Sequence, residues 1–211
     1  MTIDRAATPF VLLAALPAVV SFLAGPPVLT GILAGLPVAI ALFFRDPDRL
    51  PSADPANVLS PADGRVTHAG PARAGESPPG RWRQVTIFLS PLDVHINRTP
   101  VTGRVTKVAY VEGTFLPAFR HDSHRNEHSE IWIDHDGVDV VVRQVVGAMA
   151  RRVICRVRPG EVLGPGQRIG LMKFGSRMDV FLPEAAEVFV TKGDHVRGGE
   201  TIIARLSAAR A

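Results

Sequence analysis

The chain has 211 residues and a formal charge of +4, with 46% hydrophobic and 21% charged residues. This composition excludes a disordered protein and leaves room for one compact domain with an appendage. The basic balance favours an anionic partner, either nucleic acid or lipid headgroups. The single cysteine, Cys155, excludes an internal disulfide and a metal site made of several cysteines. The 19 Gly and 18 Pro predict short elements joined by turns, which favours β-structure.

The first 45 residues predict a membrane-anchoring hairpin. Residues 10–44 carry no charged side chain, and Gly-Pro-Pro at 25–27 divides them into two apolar halves. Each half is shorter than the roughly 20 residues that a spanning helix needs. Arg5 on one flank and Arg45 on the other would share one side, which is cytoplasmic by the positive-inside rule. We therefore expect an anchor over residues 1–45 at the cytoplasmic face of the cell membrane, and lipid rather than nucleic acid as the anionic partner.

A cleaved signal peptide is the alternative for this segment. Asp4 dilutes its basic start, and a second apolar run follows the first, so the hairpin is favoured.

The rest of the chain predicts a linker over residues 46–57, rich in Pro and Asp, and a β-domain over residues 58–211. Short runs rich in Val and Ile predict strands at 85–90, 104–113, 130–134, 138–147, 152–158, 178–183, 186–191 and 201–206. In 152–158 the apolar side chains would face a core, and the arginines would face solvent or anionic lipid.

Residues 160–169 and 193–202 form a faint internal repeat with a tight Gly-containing turn and a closing Ile. The repeat resembles the turn-and-strand units of biotinyl- and lipoyl-type barrel-sandwich domains. The expected fold is mainly β, a barrel-sandwich-like antiparallel domain preceded by an apolar helical hairpin.

The first candidate site is HRNEH, residues 124–128. It matches the H-x-x-E-H spacing in which two His on one helix face bind zinc beside a Glu base, so His124, Glu127 and His128 would serve a zinc hydrolase. The preceding segment has no apolar stripe at helical period, which argues against the required helix. A polar surface loop and a substrate-site loop are the alternatives, and the substrate-site loop is favoured.

The second candidate is His95, which follows the predicted strand at 85–90 together with Asp93. Functional side chains often lie where a strand ends, and His suits proton transfer near neutral pH. A single His is as often a structural residue held by hydrogen bonds.

The third candidate is the Gly175-Ser176 pair in LMKFGSRMDVFLP, residues 171–183, for which three interpretations compete. The pair can be an ordinary turn. Lys173 can be the modified lysine of a membrane-tethered carrier, although the tight-turn glycines lie at 164–166 and 198–199. Ser176 can be a residue that the protein converts into another group. Ser176 lacks the G-x-S-x-G pattern of serine hydrolases, which argues against a standard serine hydrolase.

Five motifs, in order, resemble the phosphatidylserine decarboxylase family in its short prokaryotic form. They are LSPADG (59–64), FLSPLDVH (88–95), RNE (125–127), VVGAMARR (145–152) and GQRIGLMKFGSRMDVFLP (166–183). The resemblance runs from about residue 59 to 206 and includes most of the chain beyond the hairpin.

In that family a Gly-Ser bond cleaves itself, and the serine becomes a pyruvoyl group that serves as cofactor. The resemblance implies a break between Gly175 and Ser176 and a heterodimer of chains 1–175 and 176–211. It also implies decarboxylation of phosphatidylserine to phosphatidylethanolamine and carbon dioxide at an anionic membrane surface. It implies no nucleic-acid partner, and it leaves a homo-oligomer open.

The resemblance also implies residue roles. Ser176 would carry the pyruvoyl group, His95 would transfer protons in decarboxylation, and Asp63 would take part in self-cleavage. The larger forms read D-x-H-x-x-H-x-P, and this chain has Arg98 where the second His would stand, so an Asp-His-Ser relay does not carry over. Either His95 serves both steps or strain and nearby donors activate Ser176. Asn126 and Glu127 would lie in the substrate-binding loop.

Overall fold

The computed structural model describes residues 1–149, 152–173 and 175–207. The chain forms two compact units, Met1–Asp48 and Arg49–Ala211.

The first unit is a pair of apolar helices, α1 (Thr8–Ala24) and α2 (Pro27–Phe43), preceded by a 3-10 helix at Arg5–Ala7. Strands β1 (Thr2–Ile3) and β2 (Arg45–Asp46) pair in antiparallel orientation, so both ends of the hairpin lie on one side. The helical hairpin expected from the sequence is confirmed.

The hairpin exposes much of its apolar surface, including Phe22 and Leu23. Residues Arg5–Ala24 form a helical segment of 20 residues with a hydropathy of 2.1, and length and composition allow it to cross a membrane. The segment is longer than the sequence suggested because the 3-10 helix at Arg5–Ala7 extends α1. A helix that is apolar on all sides needs a cover of lipid or protein.

The second unit consists mainly of β-strands, which confirms the expected fold class. Its strands are β3 (Asn57–Leu59), β4 (Gly64–Pro71), β5 (Trp82–Leu89), β6 (Ile96–Arg98), β7 (Gly103–Val111), β8 (His128–His135), β9 (Val138–Val145), β10 (Ile154–Cys155), β11 (Val162–Leu163), β12 (Arg168–Leu171), β13 (Ser176–Pro183), β14 (Glu187–Val188), β15 (His195–Val196) and β16 (Ile202–Arg205). A 3-10 helix covers His121–Arg125.

Eight of these strands form one curled antiparallel sheet in the order β11-β7-β8-β9-β13-β5-β4-β15. Two three-stranded sheets, β10-β12-β6 and β14-β16-β3, complete the unit. Strand β13 lies in the large sheet between β9 and β5. Its alternate residues Met178, Val180 and Leu182 point into the core, whereas Arg177 and Asp179 point to the opposite face.

The structure changes several strand boundaries. The predicted strand at 152–158 is regular only at Ile154–Cys155, yet its side chains alternate as expected, with Val157 buried and Arg156 exposed. The predicted strand at 178–183 begins earlier, at Ser176. This earlier start places Ser176 on the large sheet rather than in a loop before it.

Candidate active site

The Gly175-Ser176 pair lies at the head of a central strand. Ser176 is fully buried and is paired with Leu89 of β5. Gly175 has a φ of +67°, a left-handed conformation that glycine adopts without steric cost. The preceding strand β12 belongs to a different sheet, so the pair joins two sheets and is not the tip of a hairpin.

The carbonyl of Gly175 packs against Gly147, which follows the end of β9. A Cβ atom at residue 147 would lie about 1.1 Å inside the 3.0 Å limit that real Cβ atoms respect from this carbonyl oxygen. Only glycine therefore permits this approach. Sequence reasoning gave Gly147 no role, although a glycine directly after a run of buried Val residues is a signal of close backbone packing.

The hydroxyl of Ser176 is held by the chain just before it. Its Oγ donates to the carbonyl oxygen of Lys173 at 3.2 Å. Because the hydroxyl proton is engaged there, the oxygen lone pairs are directed away from that acceptor. Lys173 is half-buried between two sheets, and this position does not resemble the exposed hairpin tip that a carrier lysine needs.

His95 contacts the segment that precedes Ser176. It is fully buried just before β6, and its carbonyl oxygen accepts a hydrogen bond from the N–H of Met172 at 3.2 Å. Its Nδ1 lies 2.8 Å from the carbonyl oxygen of Asp93, which can only accept. The ring therefore carries a proton on Nδ1, and in the neutral ring the lone pair is on Nε2.

A buried polar chain links the strand that carries His95 to the large sheet. Gln144 of β9 donates to Oδ1 of Asn97 at 2.8 Å and accepts from the hydroxyl of Ser129 at 2.8 Å. All three side chains are almost completely buried. Because Asn97 lies two residues after His95, this chain positions β6 against the sheet that carries Ser176. Sequence reasoning missed Gln144 and Ser129, since neither stands in a recognisable motif.

Asp63 is bound by a guanidinium and by a backbone N–H. Both of its carboxylate oxygens accept from Arg49, at 2.9 and 2.8 Å, and Oδ1 also accepts from the N–H of Gly198 at 2.7 Å. The loop before it is tied to β6, because the N–H of Arg98 donates to Pro61 at 2.8 Å. The guanidinium of Arg98 donates to Gly166 at 3.1 Å. Through these two bonds Arg98 holds the backbone at Pro61 and at Gly166, a role different from that of a relay base.

Asn126 is a clamp. Its amide oxygen accepts from Thr114 and Leu116, and its amide nitrogen donates to Leu116 and Val146, all within 2.9 Å. These four bonds use the full capacity of the side chain. Asn126 thus ties its loop to Val146, the neighbour of Gly147. Glu127 accepts a hydrogen bond from the hydroxyl of Tyr110 and is half-buried.

The helix that a zinc site would need at residues 124–128 is not formed. The 3-10 helix ends at Arg125, and β8 begins at His128. His124 lies 3.7 Å from Glu76, whereas Nδ1 of His128 donates to Asn126 at 2.8 Å. Over residues 1–149, 152–173 and 175–207, no group of three His, Cys, Asp or Glu residues is arranged to hold a metal ion.

Burial lowers the pKa of His128 and favours its neutral form. His128 shares a row of the sheet with Val145 and Arg177, on the face opposite to Ser176.

On that face a buried ion cluster secures the residue after Ser176. Arg177 donates to Glu76 at 2.5 Å and to both carboxylate oxygens of Asp179, at 2.9 and 3.0 Å. Burial alone would raise the pKa of Glu76, but the hydrogen bond and charge of Arg177 hold it below its usual value. Glu76 stands in the loop between β4 and β5, so this ion pair fastens that loop to β13.

Comparisons with known proteins identify the family of the chain. A model of the phosphatidylserine decarboxylase family matches residues 38–204. The phosphatidylserine decarboxylase proenzyme of Chlorobium chlorochromatii is 46% identical over 164 residues, 77% of each chain. The proenzymes of Solibacter usitatus and Gluconobacter oxydans are each 43% identical, over 92% and 96% of this chain and 91% and 93% of their own. The motifs, the fold and these relatives together establish that the chain belongs to the phosphatidylserine decarboxylase family.

Proposed function

We propose that the protein is a proenzyme that cleaves its own Gly175–Ser176 bond and then decarboxylates phosphatidylserine to phosphatidylethanolamine and carbon dioxide. The observation that carries this proposal is the junction itself. A buried serine stands at the head of a central strand, directly after a left-handed glycine whose carbonyl is confined by Gly147. The names of the related proenzymes support it.

Self-cleavage follows from the residue types at the junction. Oγ of Ser176 attacks the carbonyl carbon of Gly175, and the amide becomes an ester with a free α-amino group. Loss of the α-proton of residue 176 then expels the Gly175 carboxylate and leaves a dehydroalanine. Addition of water releases ammonia and leaves a pyruvoyl group on residue 176. Ser suits both steps, because its oxygen is first the nucleophile and then part of the leaving group.

The residues around the junction suit a pyruvoyl group at position 176. The new chain end remains at the head of β13, because residues 177–181 pair with β9 and residues 177–183 pair with β5. Arg177 adds ion pairs to Glu76 and Asp179 on the opposite face. When present, the keto group of a pyruvoyl residue acts as the electron sink for decarboxylation of an amine substrate.

His95 is the residue that we assign to proton transfer in this reaction. Its Nδ1 proton is committed to Asp93, so Nε2 is the atom that can hold and deliver a proton. Delivery to the α-carbon after loss of carbon dioxide is the step that requires it. Asp63 is assigned a positioning role, because Arg49 and Gly198 occupy its carboxylate.

The two products of cleavage would stay together as a heterodimer. Residues 176–207 contribute β13, β15 and β16, and these pair with β5 and β9, with β4, and with β3 of the longer product. The apolar hairpin would anchor the longer product to the cytoplasmic face of an anionic membrane, where the substrate lies.

Intact masses of the purified protein under denaturing conditions test the first part. Scaling 22.7 kDa by 36 of 211 residues predicts a small chain of about 4 kDa that begins with pyruvoyl. Ser176→Ala should remain a single chain. Ser207→Ala is the matched control, since it removes an exposed serine hydroxyl near the end of the chain and should still cleave. A single wild-type chain with an unmodified Ser176 would refute self-processing.

Release of labelled carbon dioxide from carboxyl-labelled phosphatidylserine tests the second part. Hydroxylamine, which reacts with the pyruvoyl carbonyl, should abolish this release, and a chelator should leave it unchanged. Cleaved protein that releases no carbon dioxide from phosphatidylserine would retain the processing step and reject the substrate.

A further inference from the structure

Three large apolar side chains are exposed to solvent at the end of the sheet where β13 begins. Leu92 is 84% exposed, Met149 is 77% exposed and Phe119 is 72% exposed. Single exposed apolar residues are ordinary, but a group of them at one end of a domain marks an interaction surface. We call these three residues the rim.

The rim lies at the same end of the sheet as the Gly175-Ser176 junction. Leu92 follows Leu89, the strand partner of Ser176, by three residues. Met149 follows Gly147, which packs against the Gly175 carbonyl, by two residues. Phe119 follows Ala118, which lies beside Gly147, and its ring packs edge-on against Phe88 at 6.4 Å.

Basic residues stand near the rim residues and the junction along the chain. Arg125 and Arg152 are exposed, and Lys173 is partly exposed just before the junction. The flanking loops also carry Arg120, which is paired with Asp122. Separate apolar tips with Lys and Arg beside them fit the boundary between headgroups and acyl chains of an anionic bilayer.

We propose that the rim docks the catalytic unit directly on a phospholipid bilayer, with Leu92, Phe119 and Met149 inserted at the headgroup boundary. The junction end of the sheet then faces the lipid. The inference goes beyond the anchoring hairpin, because it assigns a second membrane contact to the unit Arg49–Ala211 itself. It relies on the proposed function only for the substrate that such docking would deliver.

The two native tryptophans provide an internal reference. Trp82 pairs with Pro183, at the far end of β13 from Ser176, and Trp132 packs edge-on against Trp82 at 5.9 Å. Seven strand steps of about 3.4 Å place Trp82 about 24 Å from the rim end. Docking by the rim therefore keeps both native tryptophans away from the lipid.

The test uses the full chain on vesicles of brominated phosphatidylcholine and phosphatidylglycerol, in which bromine quenches only tryptophans that enter the bilayer. Phe119→Trp and Leu92→Trp place a reporter in the rim. Phe189→Trp is the matched control, an exposed phenylalanine beyond Pro183 that is 48% exposed. All variants retain the hairpin, so differences in quenching report how the unit is oriented.

Stronger quenching in Phe119→Trp and Leu92→Trp than in wild type and Phe189→Trp would support the rim. Quenching of the two rim variants no stronger than that of Phe189→Trp would overturn it. This arm does not depend on catalytic activity.

A kinetic arm uses the variant with Leu92, Phe119 and Met149 all replaced by Ser. Turnover of vesicle phosphatidylserine below saturation should fall by at least about tenfold, since burial of each apolar side chain favours binding by about that factor. Turnover of a soluble short-chain phosphatidylserine should not change. An equal loss of turnover on both substrates would overturn the docking role. If the wild-type protein turned over neither substrate, the proposed function would be rejected, and the quenching result alone would decide on the rim.

Discussion

Replacing Gly147 by Ala should slow cleavage of the Gly175–Ser176 bond without unfolding the protein. The added Cβ atom would fall about 1.1 Å inside the closest approach that real Cβ atoms show to other atoms. The atom it meets is the backbone carbonyl oxygen of Gly175, which cannot rotate away as a flexible side chain would. The Gly175 carbonyl must therefore shift by about 1 Å relative to the hydroxyl of Ser176.

The structure sets the size of the effect. Misplacing reacting atoms by about 1 Å costs about 100-fold in rate. A factor of this size raises the activation barrier by about 2.7 kcal/mol. We expect cleavage of Gly147→Ala to be slower than that of wild type by about this factor.

Cell-free synthesis of the full chain, followed by denaturing mass spectrometry over time, measures the rate at which the small chain appears. Gly164→Ala is the matched control, because the nearest atom to its new Cβ, Oε1 of Gln167, lies at 3.9 Å. It should cleave at the wild-type rate. A thermal unfolding transition near that of Ser176→Ala would establish that Gly147→Ala is folded. A folded Gly147→Ala protein that cleaves as fast as wild type would refute the reasoning.

Three further predictions follow from the same geometry. His95→Gln should still yield two chains but release no carbon dioxide, and an intact chain would show that His95 also serves cleavage. Glu76→Gln in the Ser176→Ala background should lower the free energy of unfolding in urea by about 3 kcal/mol, because it breaks a buried ion pair. Glu184→Gln, which breaks an exposed ion pair, should change the free energy of unfolding by less than about 0.5 kcal/mol. Burial lowers the pKa of His128, so the unfolded chain takes up its proton first and stability should decline as the pH falls through about 6.5. Urea midpoints across pH should show this decline, and His128→Gln should lack it.

Much of the candidate site could be predicted from short motifs. Ser176, Gly175 and His95 stand in runs whose residue types reflect their chemistry: a nucleophile after a glycine, and a histidine in the segment that follows a strand. The apolar hairpin was also predictable, because a charge-free run broken by Gly-Pro-Pro has few alternatives. Local sequence carries these features since each depends on neighbouring residues.

The arrangement between distant segments could not be predicted from the sequence. The contact of Gly147 with the Gly175 carbonyl joins the end of β9 to the start of β13, and it exists only because those two strands are paired. The ion pair of Glu76 with Arg177 spans 101 positions of the chain. A residue pattern records which side chains alternate, but not which strands become neighbours.

The sequence by itself therefore determined the hairpin, the mainly β class and the family, and it singled out Gly175-Ser176 as the candidate cleavage site, because local pattern and residue chemistry are sufficient for these features. Only the tertiary structure decided that the Asn126 side chain makes all four of its hydrogen bonds and that Asp63 is bound by Arg49. It also decided that residues 124–128 do not form a single helix. The physical reason is that each of these outcomes depends on a partner supplied by a remote strand or loop, and such partners are set by packing rather than by adjacent residues.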